Sequence, residues 1–166
     1  MGKSDSFFIR AEVADNGTTF NETSIDLGAY VDALGKSVLR IHNVAHRWTT
    51  ANNNAPFPGA ATVAAAQWQL TTQSQSQIVG MTDKSLISSG HLDAQANGAS
   101  ELVLLTDEVD VSPQKWTNGY LVAVEQIYLG FDQSVATFCD GAELILECTV
   151  ETMTSAAAMA LALSQQ

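Results

Sequence analysis

The chain is short of charge. Only 15% of its 166 residues are Asp, Glu, Lys or Arg, against about 25% in ordinary globular chains. It is short of positive charge above all: seven Lys and Arg face eighteen Asp and Glu, a formal net charge of −11. Nucleic-acid binders need a cationic footprint to release counterions, so the balance opposes a free-standing DNA or RNA binder. The one locally basic stretch, Lys36 to Trp48, carries Lys36, Arg40 and Arg47, too few for such a footprint. Little nucleic-acid contact is expected.

Cysteine is nearly absent too. Cys139 and Cys148 stand nine apart, which matches neither a zinc motif nor a redox dithiol. Cys148 falls on the apolar side of an alternating stretch and reads as a buried thiol; pairing with Cys139 is left open. No run of 18 apolar residues exists, so no membrane-spanning helix is expected. A charged-then-apolar secretion signal is missing. Met1 to Ser6 fits the loose N-myristoylation pattern. Asn16-Gly17-Thr18 and Asn21-Glu22-Thr23 fit the glycosylation pattern, though both lie in Asn/Thr-rich turns.

What the chain has is hydrophobicity, 46% of residues, in a period of two. Phe7, Ile9, Ala11 and Val13 alternate with polar neighbours, so Phe7 to Val13 is a half-buried strand. Thr23 to Asp32 and Ser37 to Trp48 read as strands. Thr49 to Gly59 holds three consecutive Asn, two prolines and a glycine, and is a loop. Phe57, between Pro56 and Pro58, either plugs a gap on its own subunit or docks on a neighbour. Trp68 lies in an alternating stretch that favours strand. Ile78 to Met81 and Leu86 to Leu92 are short strand candidates. Glu101 to Val111 is apolar first and acidic later. Tyr120 to Phe131, apolar on both faces, predicts one central strand covered on both sides. In Ala142 to Val150 the even-numbered residues face inward.

From Thr154 the pattern changes to a helix, capped by Thr154 or Ser155 and apolar all round. One domain spans 1–166, with an N-terminal arm at 1–6 and a C-terminal helical arm at 154–166. Eight or nine strands with turns between them predict an all-β fold, an antiparallel β-sandwich of single jelly-roll-like form, plus the helix.

Chemistry-bearing patterns are sparse. His42 and His46 share a strand face but stand about 13 Å apart by strand rise, too far for one ion. Asp107, Glu108 and Asp110 read as a solvated acidic loop, with calcium binding the sharper alternative. Glu125, in a very apolar segment, calls for a partner such as Arg40 or Arg47; as an acid or base it would make this a small β-barrel enzyme, the least favoured reading. Hydrolase-elbow, phosphate-loop and dinucleotide motifs do not occur. The expectation is no catalytic residue, no cofactor and no metal: not an enzyme.

Chain size, the number of strands, the Asn/Pro-rich loop at 49–59 and the short terminal arm resemble the single jelly-roll capsid proteins of small icosahedral viruses. The resemblance runs from Phe7 to Val150. It implies a structural viral shell subunit that self-assembles into pentamers or hexamers through loops and terminal arms, in a virion assembled in the host cytoplasm, with other virion proteins as further partners. The interface residues expected on this view are Phe57, Met159, Leu161 and Leu163. The family's basic genome-binding arm is missing here. Two alternatives stand beside it: a carbohydrate-binding or adhesin sandwich using Phe57 with Trp48 or Trp116, and a cement or tail protein of a tailed virus.

Overall fold

The computed structural model describes residues 2–32, 36–59, 63–99 and 101–166. Nine strands and one helix follow in chain order: β1 (Phe7–Ala14), β2 (Asn21–Asp26), β3 (Ser37–Thr49), β4 (Val63–Thr71), β5 (Leu86–Ala96), β6 (Leu102–Val111), β7 (Tyr120–Val122), β8 (Gln126–Gln133), β9 (Gly141–Thr152) and α1 (Ser155–Ser164). One sheet has the order β1-β9-β3-β7, the other β2-β8-β4-β5-β6. Every pairing is antiparallel.

The pairings reveal the wrap. β1 pairs with β9, β2 with β8, β3 with β7 and β4 with β5. The chain is thus one long antiparallel ribbon, folded at its middle and rolled so that successive ribbon segments alternate between sheets. That is a single jelly roll. β6 is added beyond β5 as a fifth strand on one sheet.

Alternation along each strand builds the core. Phe7, Ile9, Ala11 and Val13 of β1 meet Ala142, Leu144, Leu146 and Cys148 of β9 in one cluster with Trp68, Leu70, Ile127, Leu129 and Phe131 of the facing sheet. Trp68 and Phe131 are fully buried. Gly141 opens β9 at φ 140°, between Ala14 and Thr49, and a Cβ there would lie 2.0 Å from the Val13 carbonyl oxygen. Only glycine lets the strands close around that corner.

Several expectations are corrected. Tyr120 to Phe131 is two strands, not one. β7 ends at Val122, and β8 begins at Gln126 in the opposite sheet. Apolar residues stand on both sides of the crossing, where Val122, Ala123 and Ile127 are buried, while Glu125 and Gln126 at the crossing are exposed. β2 stops at Asp26. Leu27 and Val31 are buried in a turn, where the Leu27 carbonyl accepts from the Tyr30 and Val31 amides. An i, i+4 spacing there imitates alternation. Ile78 to Met81 is loop, held where the Val79 amide donates to Gln69 Oε1.

Both termini lie along the domain. Ser4 and the Val150 backbone exchange hydrogen bonds, and Lys3 bridges to Glu151, so 2–4 continues the edge of β9. The Thr154 hydroxyl caps α1 by accepting from the Ala157 amide. The helix packs Ala158 and Ala162 onto Val38 and Ala123, with Leu121, Met153 and Leu161 around them. Small residues on the docking face bring helix and sheet close.

Gln165 fastens the end. Its Nε2 donates to the Leu121 carbonyl (2.6 Å) and its Oε1 accepts from the Ala123 amide (2.9 Å). The side-chain amide thus imitates a strand residue where β7 runs out. Its own carbonyl accepts from Thr72 Oγ1 and Gln73 Nε2, just beyond β4 of the other sheet.

Candidate assembly surface

β6 lies at a sheet edge, hydrogen-bonded to β5 on one side. Its first four residues break the alternation seen elsewhere. Leu102, Val103, Leu104 and Leu105 are 39, 65, 51 and 40% exposed. The register explains how both faces come to be apolar. Ala96 pairs with Leu102 and Gln95 with Leu104, so Val103 is the extra residue of a bulge. On the outer face Leu104 continues a row through Gln95 to the exposed Val63 of β4. On the inner face Leu105 lies opposite the buried Ala94. A long apolar edge with unpaired backbone groups is a template for another strand.

Helix α1 supplies a second apolar surface. Met159 and Leu163, one turn apart, are 46 and 70% exposed. Leu161 packs on the subunit's own Val38–Ala123 cluster, so it does not share their outward face. Phe57 is half-buried, next to the buried Pro58. Of the four residues expected at an interface, Met159 and Leu163 come together and Leu161 is committed inward. Sequence reasoning missed β6. The signal was available: four consecutive apolar residues, Leu102 to Leu105, in place of strand alternation.

The polar groups sort differently from expectation. A register shift in β3 between Ile41 and Asn43 puts His42 and His46 in different settings. His42 Nε2 lies 2.9 Å from Thr149 Oγ1, and burial, then nearby Lys3, lowers its pKa. His46 faces the fully buried Trp68 and meets Asp107 Oδ1 at 3.0 Å, which also accepts from Trp48 Nε1. Asp107, Glu108 and Asp110 therefore lie on a strand, not in a loop, and Asp107 turns away from the other two toward β3. Glu125 is exposed in the β7–β8 crossing, so it needs no buried partner. Arg40 instead grips Glu151 with two bonds, Nε to Oε1 at 2.6 Å and Nη2 to Oε2 at 2.8 Å. Its hydrogen bond holds the Glu151 carboxyl below the ordinary range.

Cys139 and Cys148 are free and buried, and burial pushes both thiols up to about 12. Trp48 and Trp68 belong to the interior aromatic group with Phe131. Trp116, 46% exposed, lies 6.1 Å from the Tyr120 ring.

No family model matches the sequence, and no curated protein matches it. Among solved structures the chain is similar to an unassembled KI polyomavirus VP1 pentamer subunit, at 6% identity and a TM-score of 0.44, over 90% of this chain and 95% of that one. It is similar to the Merkel cell polyomavirus VP1 unassembled pentamer at 7% identity and a TM-score of 0.44, over 91% and 96%. It is also similar to Desmodium yellow mottle tymovirus at 12% identity and a TM-score of 0.36, over 89% and 85%. The likeness is one of fold; the strand order and pairing of this chain define it independently as a single jelly-roll sandwich.

Proposed function

We propose that this chain is a structural shell subunit of a virion, a non-enzymatic capsid protein that associates with copies of itself. The observation that carries this is the exposed apolar edge Leu102–Leu105 on a jelly-roll sheet. The charge pattern of β6 favours a second copy as its occupant. An antiparallel two-fold pairing centred on Val103 and Leu104 sets the four apolar residues against their own counterparts. It carries Asp107, Glu108 and Asp110 of each strand beyond the overlap, so like charges do not face each other. A stable contact needs roughly 800 Å² per partner. One short strand segment is less than that, so Val63 and the outer face of α1 are assigned to further contacts, including those within five- or six-fold clusters. With a net charge of −11, the subunit leaves direct genome contact to other virion components.

The test is light scattering of the purified protein at low and high salt, followed by microscopy. Pentamers, hexamers or megadalton particles are expected, and Leu104→Glu should shift them toward smaller species while leaving the circular dichroism spectrum intact. A wild-type monomer at every salt concentration would overturn the proposal, and a dimer that grows no further would keep the β6 pairing but overturn the shell. A second reading, a carbohydrate-binding module, has one observation in its favour, the exposed Trp116 beside Tyr120. A monomer or dimer whose melting temperature rises with a glycan, and no longer does after Trp116→Ala, would support it.

A further inference from the structure

The outer face of the β5–β6 hairpin gathers three carboxylates around one imidazole. His91 lies opposite Glu108 in the register. Asp93 follows two residues along the same face of β5. Asp110 arrives through a second bulge: Gly90 pairs with Val109 and Ser89 with Val111, which leaves Asp110 as the extra residue. His91 Nδ1 lies 2.7 Å from Asp110 Oδ1. On the other side of the ring, Nε2 lies 3.5 Å from Asp93 Oδ2 and 4.0 Å from Glu108 Oε2. Ligand atoms from His91, Glu108 and Asp110 all fall within 4.8 Å of one another.

The two ring nitrogens therefore have different work. In the tautomer with its proton on Nδ1, the imidazole donates to Asp110 and the Nε2 lone pair is directed toward two carboxylates. Metal-binding histidines are oriented in this way. Donor atoms about 2.1 Å from a tetrahedral ion stand about 3.4 Å apart, close to the Nε2–Asp93 separation. Among the described residues no Lys or Arg forms an ion pair with Asp93, Glu108 or Asp110. The nearby Lys115 ammonium is directed to the Val109 carbonyl. Three carboxylates thus surround a single imidazole with no fixed cation to balance them. The imidazole distinguishes this group from a run of solvated acids. It lies on β5, across from Glu108 and Asp110 of β6, and supplies a borderline-soft nitrogen.

We infer that the cluster of His91, Glu108 and Asp110, with Asp93 beside it, forms a binding site for a divalent metal ion of the zinc class, Asp110 positioning the imidazole and water completing the coordination. A mixed nitrogen and carboxylate set suits zinc better than calcium, which takes six to eight oxygens. The bound ion would tie edge strand β6 to β5. This inference goes beyond the shell reading and does not depend on it, because binding is measured per chain whatever the assembly state.

The test is isothermal titration of the full chain, stripped with a chelator, against zinc chloride, with calcium chloride in parallel. One zinc per chain is expected, with a rise in melting temperature on saturation. His91→Ala should abolish binding. Asp110→Asn should weaken it by about 10–100-fold without changing the stoichiometry. Affinity should fall as the pH is lowered, since every ligand must be deprotonated. Asp93→Asn and Glu108→Gln, both exposed and far from the core, report on the site if His91→Ala does not fold, and each should weaken binding. Absence of zinc binding by the wild type would overturn the inference. So would zinc binding unchanged in His91→Ala, or calcium binding equal to zinc and indifferent to His91.

Discussion

The penultimate residue of the chain should control the stability of the whole sandwich. Gln165 is only 4% exposed, and its side-chain amide satisfies the Leu121 carbonyl and the Ala123 amide. Gln165→Ala leaves both backbone groups without partners beside the Val38–Ala123 cluster. Each buried unsatisfied group costs about 1–3 kcal/mol. Some water will reach a site near the chain end, so the total should be about 2–4 kcal/mol at the usual cost per group. For a domain of this size that lowers the melting temperature by roughly 4–16 °C. Gln165→Glu keeps an acceptor for the Ala123 amide but sets a carboxylate against the Leu121 carbonyl, and should be comparably destabilising. Gln166→Ala, at an exposed neighbour, should stay within about 0.5 kcal/mol of wild type. Urea unfolding followed by tryptophan fluorescence measures all three. A Gln165→Ala protein as stable as Gln166→Ala would refute the reasoning, and α1 would then be an appendage instead of a clasp.

Two further perturbations test the interior. Arg40 depresses the pKa of Glu151, so the folded state holds that carboxylate more tightly deprotonated than the unfolded chain does. The pair's contribution is complete above the ordinary carboxylate value and is lost as the pH falls through the depressed one; Glu151→Gln should therefore narrow the stability gap between neutral and acid pH, and an unchanged acid limb in urea titrations would contradict the pairing. At Gly90 an added Cβ would lie 2.6 Å from Trp68 Nε1 and 3.0 Å from the Glu108 carbonyl oxygen. Gly90→Ala should therefore cost about 1–3 kcal/mol by overpacking, read as a lower urea midpoint.

Much of this architecture is local in origin and so was legible in residue order. A strand with one face buried must alternate, and β1 and β9 do so: Phe7, Ile9, Ala11 and Val13 meet Ala142, Leu144, Leu146 and Cys148. The helix declares itself through Thr154 and the alanine run, because capping and propensity act within one turn. The prolines and asparagines of 49–59 mark a loop for the same reason. Where local pattern serves two geometries, the sequence misleads. Tyr120 to Phe131 is apolar on both faces whether it is one central strand or two strands joined by a crossing between sheets, and Leu27 with Val31 has a spacing that fits both a strand and a turn.

Other features arise only from contacts between distant segments. No local rule brings Asp93, Glu108 and Asp110 to His91; two strands in register and a bulge do. Arg40 and Glu151 are 111 residues apart and meet because β3 and β9 are neighbours. The apolar run Leu102–Leu105 is written in the sequence, but whether it is core or surface depends on β6 ending up at a sheet edge. Composition and periodicity determined that this chain is a β-sandwich with a short helix and an acidic, weakly charged surface. The long-range pairing of strands decided which apolar residues remain exposed and which polar groups converge, because burial and proximity belong to the packed chain and not to any window of it.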